Sequence, residues 1–174
     1  MGQKWEAVRH GGKDEVLILR NPVEGRCTLS DVVRGVEKLD SVGELCSKRG
    51  LDETFVQNTP VLIDASREFY MYIDDERKTL VACRQHISDS DLNTVYLDFV
   101  HELVHIFQLY DGRELFDRTV SYVERPTEIE AYDITVREGR RLGMTDAELF
   151  EYLNVGWISG EEHLKLAKTM GLSL

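Results

Sequence analysis

The first half of the chain reads mainly as short strands, and the second half mainly as helices. Residues 4–20 alternate weakly between apolar and polar around Gly11-Gly12, which predicts a short hairpin ending in Val16-Leu17-Ile18-Leu19. From Ser30 onward, Val32, Val33, Val36, Leu39, Val42 and Leu45 recur mostly at steps of three and four, predicting an amphipathic helix that ends near Gly50. Val61-Leu62-Ile63, after Pro60, reads as a short strand. Phe69–Ile73 and Thr79–Cys83 are β-favouring runs separated by Asp74-Asp75-Glu76-Arg77-Lys78, the pattern of a β-hairpin.

Beyond Ser88 the period changes. Ser88, Ser90 and Asp91 offer N-caps for a helix over about 91–110, stopped by Asp111-Gly112. Pro126-Thr127 opens a further helix ending near Gly143. Thr145-Asp146-Ala147-Glu148 and Ser159-Gly160-Glu161-Glu162 are capping boxes that announce two short C-terminal helices, about 145–154 and 159–170. Strands followed by helices imply an α+β fold: N-terminal strands and a helix, a β-hairpin, then a mainly helical C-terminal half. With no repeat and no linker-like tract, 1–174 is expected to be one domain. Its core is expected over about 60–143, with a C-terminal helical pair at 144–174.

Composition narrows the class. Lys and Arg number 21 against 32 Asp and Glu, a formal net charge of −11, and the pI is near 4.9. Such a surface repels polyanions, so nucleic acid and anionic membrane are not expected partners. Cys27, Cys46 and Cys83 form neither a disulfide framework nor a C-x-x-C knuckle, which fits a reducing cytoplasm. The apolar runs are far shorter than the roughly 20 residues of a spanning helix. The N-terminal residues carry neither an apolar export region nor a myristoylation pattern.

The chemistry is concentrated in one place. His101-Glu102-Leu103-Val104-His105 is an H-E-x-x-H pattern on the helix at 91–110, flanked by apolar Phe99, Val100, Ile106 and Phe107. Positions i and i+4 project from one helix face, so both imidazoles can reach one ion. Glu102 points to the side, where it can act as general base toward a water activated by Zn2+.

A third ligand is needed. The metzincin pattern would place glycine and histidine where Gln108 and Asp111 stand. With the helix continuing, Asp111 lies about 15 Å along the axis from His101 and is a poor ligand. The next helix, Pro126-Thr127-Glu128-Ile129-Glu130-Ala131-Tyr132-Asp133, offers two acids. They lie about 200° apart around the axis, so both cannot face one ion. Glu130 has Ala131 beside it and Ile134 one turn on, a face able to approach the first helix closely. Glu128 sits in the first turn, where an acid also complements the helix dipole. Glu130 is the favoured ligand and Glu128 the alternative.

On these residues the sequence resembles the gluzincin metallopeptidases, which pair H-E-x-x-H with a glutamate on a downstream helix, often within E-x-E-A-N. His101, Glu102, His105 and Glu128-Ile129-Glu130-Ala131 match, and the resemblance assigns the ligand role to Glu130. In size and element order the chain is similar to the small soluble prokaryotic forms, the ImmA/IrrE-type peptidases and the archaeal minigluzincins. Tyr132 replaces the family's Asn, and Ile134 stands where other gluzincins have an Asp that supports a histidine ligand, with Asp133 the available substitute. The resemblance covers about residues 60–143. It implies zinc-dependent peptide hydrolysis, with the strands at 69–83 as an edge that binds extended peptides.

Tyr110, Tyr122 and His163 are candidates to stabilise an oxyanion. His10 and His86 are given no role. The C-terminal cluster of Leu149, Phe150, Leu153, Val155, Trp157 and Ile158 would cap the core or form a homodimer contact. The expected partner is a peptide or protein substrate, and the acidic surface would favour basic or neutral ones. The alternative function is a zinc-stabilised regulatory or binding protein with little peptidase activity.

Overall fold

In the computed structural model of the protein, residues 2–8, 16–66 and 68–173 are described. The chain begins with β1 (Trp5–Val8) and β2 (Val16–Leu19), antiparallel with Trp5 opposite Leu19 and Val8 opposite Val16. The expected hairpin therefore forms, while its turn and His10 lie outside the described residues. Then follow β3 (Gly25–Thr28), α1 (Leu29–Val32) and β4 (Val33–Arg34), and, after a 3₁₀ turn at Val36–Lys38, α2 (Asp40–Ser47) and α3 (Glu53–Gln57).

The single helix expected from Ser30 to Gly50 is thus broken into pieces. Val33 pairs with Ile18, completing a three-stranded sheet in the order β1-β2-β4, and Gly35 takes φ 90°, a left-handed conformation that glycine adopts without strain. The β-branched Val32-Val33 pair carries the helical spacing but prefers extended backbone. Its tertiary partner decides the outcome.

The second sheet holds the scaffold of the site. It comprises β3, β5 (Pro60–Asp64), β6 (Met71–Asp74) and β7 (Thr79–Cys83) in the order β3-β5-β7-β6. β5 and β7 are parallel, and the other pairs are antiparallel. β6 stands at the sheet's edge, and Lys78, at φ 49°, makes its turn into β7. The helical half follows: α4 (Arg84–Asp89), α5 (Leu92–Tyr110), α6 (Pro126–Arg141), α7 (Asp146–Tyr152) and α8 (Gly160–Thr169).

α5 runs through the core, covered by β6 and β7 on one side and α6 on the other. Tyr96, Leu97, Phe99, Val100, Leu103, Val104 and Phe107 are all buried along it. A second apolar cluster joins α6 to the last two helices through Tyr132, Val136, Leu149, Leu153 and Leu166. The C-terminal pair therefore caps the domain's helical end, while Trp157 stays largely exposed. The architecture is α+β. No helix among the described residues is long and apolar enough to cross a membrane.

Candidate metal centre

α5 is long, about 28 Å at 1.5 Å per residue, and starts where Asp91 accepts hydrogen bonds from the backbone N–H groups of Asn93 and Thr94. Nearly three turns further on, His101 and His105 emerge together from the face turned toward α6. Their Nε2 atoms are 3.1 Å apart, and both residues are buried. α6 begins at Pro126, whose fixed φ suits the first helical position. Its first turn delivers Glu128, whose Oε2 lies 3.2 Å from His101 Nε2 and 3.5 Å from His105 Nε2.

The third member of the cluster is therefore Glu128, and the structure places the expected ligand Glu130 elsewhere. Glu130, the more exposed of the two acids, accepts from Gln108 Nε2 at 2.8 Å and is ion-paired with Arg113. The physical reason lies in how the helices meet. Gln108 Nε2 also donates to the Thr127 carbonyl at 2.9 Å, which docks the first turn of α6, not the second, beside the histidines. The small and apolar neighbours of Glu130, Ala131 and Ile134, are buried, while Glu130 itself meets α5 at Gln108, beyond the histidine pair.

Gln108 does more than dock α6. Its amide nitrogen serves two acceptors, so its Oε1 must face His105 Nδ1, 2.7 Å away. Nδ1 is then the donor, and the lone pair of the neutral ring sits on Nε2, facing Glu128 and His101. Sequence reasoning passed over Gln108, although a Gln one turn past the second histidine is the available signal. Glu128 Oε2 and His101 Nδ1 are buried without hydrogen-bond partners among the described residues.

Two imidazole nitrogens and a carboxylate oxygen, all within 4.8 Å of one another and one of them an orphaned buried anion, form a group that could hold a metal ion. Burial pushes the Glu128 carboxyl up, but the two imidazoles outweigh it and hold the group well below the usual carboxylate range. Burial likewise pulls His105 down, and pairing with Glu128 reverses this and raises it to about 9. In the metal-free protein His105 therefore holds its proton more tightly than a free imidazole, a proton that a bound cation would displace.

The cluster opens onto a cavity of about 740 Å³ between the β6 edge and the helical half, lined by Tyr70–Ile73, Glu102, Phe116, Tyr122, Arg125 and Trp157, among others. Glu102 reaches this cavity beside the two histidines. Burial pushes its carboxyl up, against the pull of both imidazoles. Tyr122 and Tyr132 share a 2.8 Å hydroxyl contact, and the Tyr132 ring packs 4.4 Å from that of His101. Burial pushes both hydroxyls up, so they remain protonated.

The remaining sequence candidates lie elsewhere. Tyr110 is exposed and packs edge-on to Phe55 in a separate hollow. His163 is buried, stacked on Phe150 and bonded through Nε2 to the Phe150 carbonyl. Asp111 binds Arg49, and Asp133 pairs with Arg137 on the surface. Compared with protein-family models, curated proteins and solved structures, the chain finds no match.

Proposed function

We propose that the protein is a zinc-dependent peptidase whose metal is held by His101, His105 and Glu128. The observation that carries this reading is a three-donor group placed beside Glu102, in a cleft walled by β6, the edge strand of the sheet among the described residues. A donor set of two histidines and one carboxylate suits zinc, which supplies Lewis acidity and brings the pKa of water toward about 7. Glu102 takes the proton from the attacking water at its carboxylate and later returns it to the leaving amine. The Tyr122 hydroxyl, held by Tyr132 at the cleft wall, donates to the oxygen where negative charge develops. The outward backbone groups of β6 pair with an extended peptide as an added strand, bringing the scissile bond alongside α5.

The test is direct. Wild type reconstituted with zinc cleaves unstructured peptides or casein. Glu102→Gln retains stoichiometric zinc and loses turnover by roughly a hundredfold or more, the usual scale of a general base. A wild type that holds zinc and cleaves nothing, against a broad peptide mixture, instead supports a zinc-stabilised binding protein. A protein that takes up no zinc overturns both readings.

A further inference from the structure

We propose that the cleft carries a subsite for a positively charged side chain, built on Asp98 and walled by aromatic rings. The proposal rests on the peptide-cleft reading and names the substrate class: extended peptides bearing arginine or lysine near the scissile bond.

Asp98 sits on α5 one turn before Glu102 and lines the same cavity, with its side chain 21% exposed. Two other helices fix its carboxylate. His86 from α4 contacts Oδ2 at 2.7 Å, and Tyr152 from α7 donates to Oδ1 at 2.9 Å. The Ser90 hydroxyl lies 2.8 Å from His86 Nδ1. Both nitrogens of the His86 ring are thus engaged, one by Ser90 and one by Asp98, which holds the ring and the carboxylate in register. Each oxygen has then used one lone pair, leaving acceptor capacity toward the cavity. A carboxylate serving only to tie α4 and α7 to α5 would not need to reach the cavity wall.

The surroundings favour a cation over any other occupant. The Tyr70 ring packs against His86 at a tilt, 4.7 Å between centroids, and is 61% exposed. Trp157 stands 62% exposed at the cavity rim. Exposed aromatic faces beside a fixed carboxylate attract ammonium and guanidinium groups. Among the described lining residues the one Lys or Arg is Arg125, already engaged with the Asp117 carbonyl and the Tyr122 ring. Glu68 adds a further acid to a lining that already holds Asp98, Glu102 and Glu128. An acidic substrate side chain would meet like charge there.

Zinc-loaded Glu102→Gln, which binds without turning over, separates this subsite from hydrolysis. Calorimetry would compare one peptide frame carrying Arg, Leu or Glu at each position in turn. The expected result is one position where Arg binds about tenfold or more tighter than Leu, with Glu the weakest. Adding Asp98→Asn shrinks that preference to roughly threefold or less, at unchanged zinc content. Equal binding of the three peptides, absence of binding, or a preference that survives Asp98→Asn overturns the subsite. Should Asp98→Asn fail to fold, the ranking of the three peptides on the unaltered cleft decides alone. Wild type that cleaves peptides without basic preference removes only the subsite. Charge-dependent binding by a protein that cleaves nothing removes only the peptidase reading.

Discussion

Glu128 and Glu130 stand two positions apart on α6 and meet different partners, so their substitutions have different expected outcomes. Glu128→Ala removes a donor from the cluster, and the purified protein should fail to hold stoichiometric metal after reloading. Glu130→Ala leaves all three donors but frees Gln108 and Arg113. It should keep stoichiometric metal at an affinity weaker by about 10- to 100-fold, the usual effect of losing an outer hydrogen-bond partner. Gln108→Ala should weaken metal at least as much, because it removes the acceptor that fixes the His105 tautomer. Competition with a chromophoric chelator measures all three. A Glu130→Ala protein that loses metal as completely as Glu128→Ala would contradict the arrangement.

At the scale of elements, legibility in the sequence followed how local the cause was. α5 and the two C-terminal helices carry their own signals: Asp91 as N-cap, and capping boxes whose bonds form in the structure. The histidine pair was legible for the same reason, since i,i+4 spacing needs only one helix. The breakup of 30–50 was not legible, because it depends on β2 arriving to pair with Val33. The choice of Glu128 depends on where α6 docks, and Gln108 sets that from the opposite helix. Asp98 was missed because its partners, His86 and Tyr152, lie 12 and 54 positions away. The packing of α7 on α6 gives a further expectation. Leu149 is fully buried in the second cluster, so Leu149→Ala should cost about 2–5 kcal/mol of stability, read from chemical denaturation.

For the molecule as a whole, the acidic excess acquires an address. Glu128 is buried within a would-be cation site, and Asp98 and Glu102 line the cleft. The coupling of charge to stability has a definite sign. His105 rises from 6.5 to about 9 on folding, so its contribution in the metal-free protein is complete below about pH 6.5 and fades as pH climbs through 9. Glu128 is depressed below its usual 4.5, so its contribution is complete above that value and fades as pH falls toward its folded value. Both are fully present between about pH 4.5 and 6.5. A metal entering the site must expel the His105 proton, and between about pH 7 and 8 its affinity should rise close to tenfold per pH unit. Calorimetry in buffers of different ionisation heat should count about one proton released; a count of zero would refute the raised His105.

The cluster also joins two helices through a connection only 22 residues long, from 106 to 127, and the connecting segment carries Arg113, Arg118 and Arg125. A bound ion would therefore be a removable cross-link that closes a short loop, and its removal would restore that loop's freedom. Stripping the ion should loosen the loop's backbone so that trypsin cuts at those arginines well before the rest of the chain unfolds, turning the digestion pattern into a gauge of occupancy.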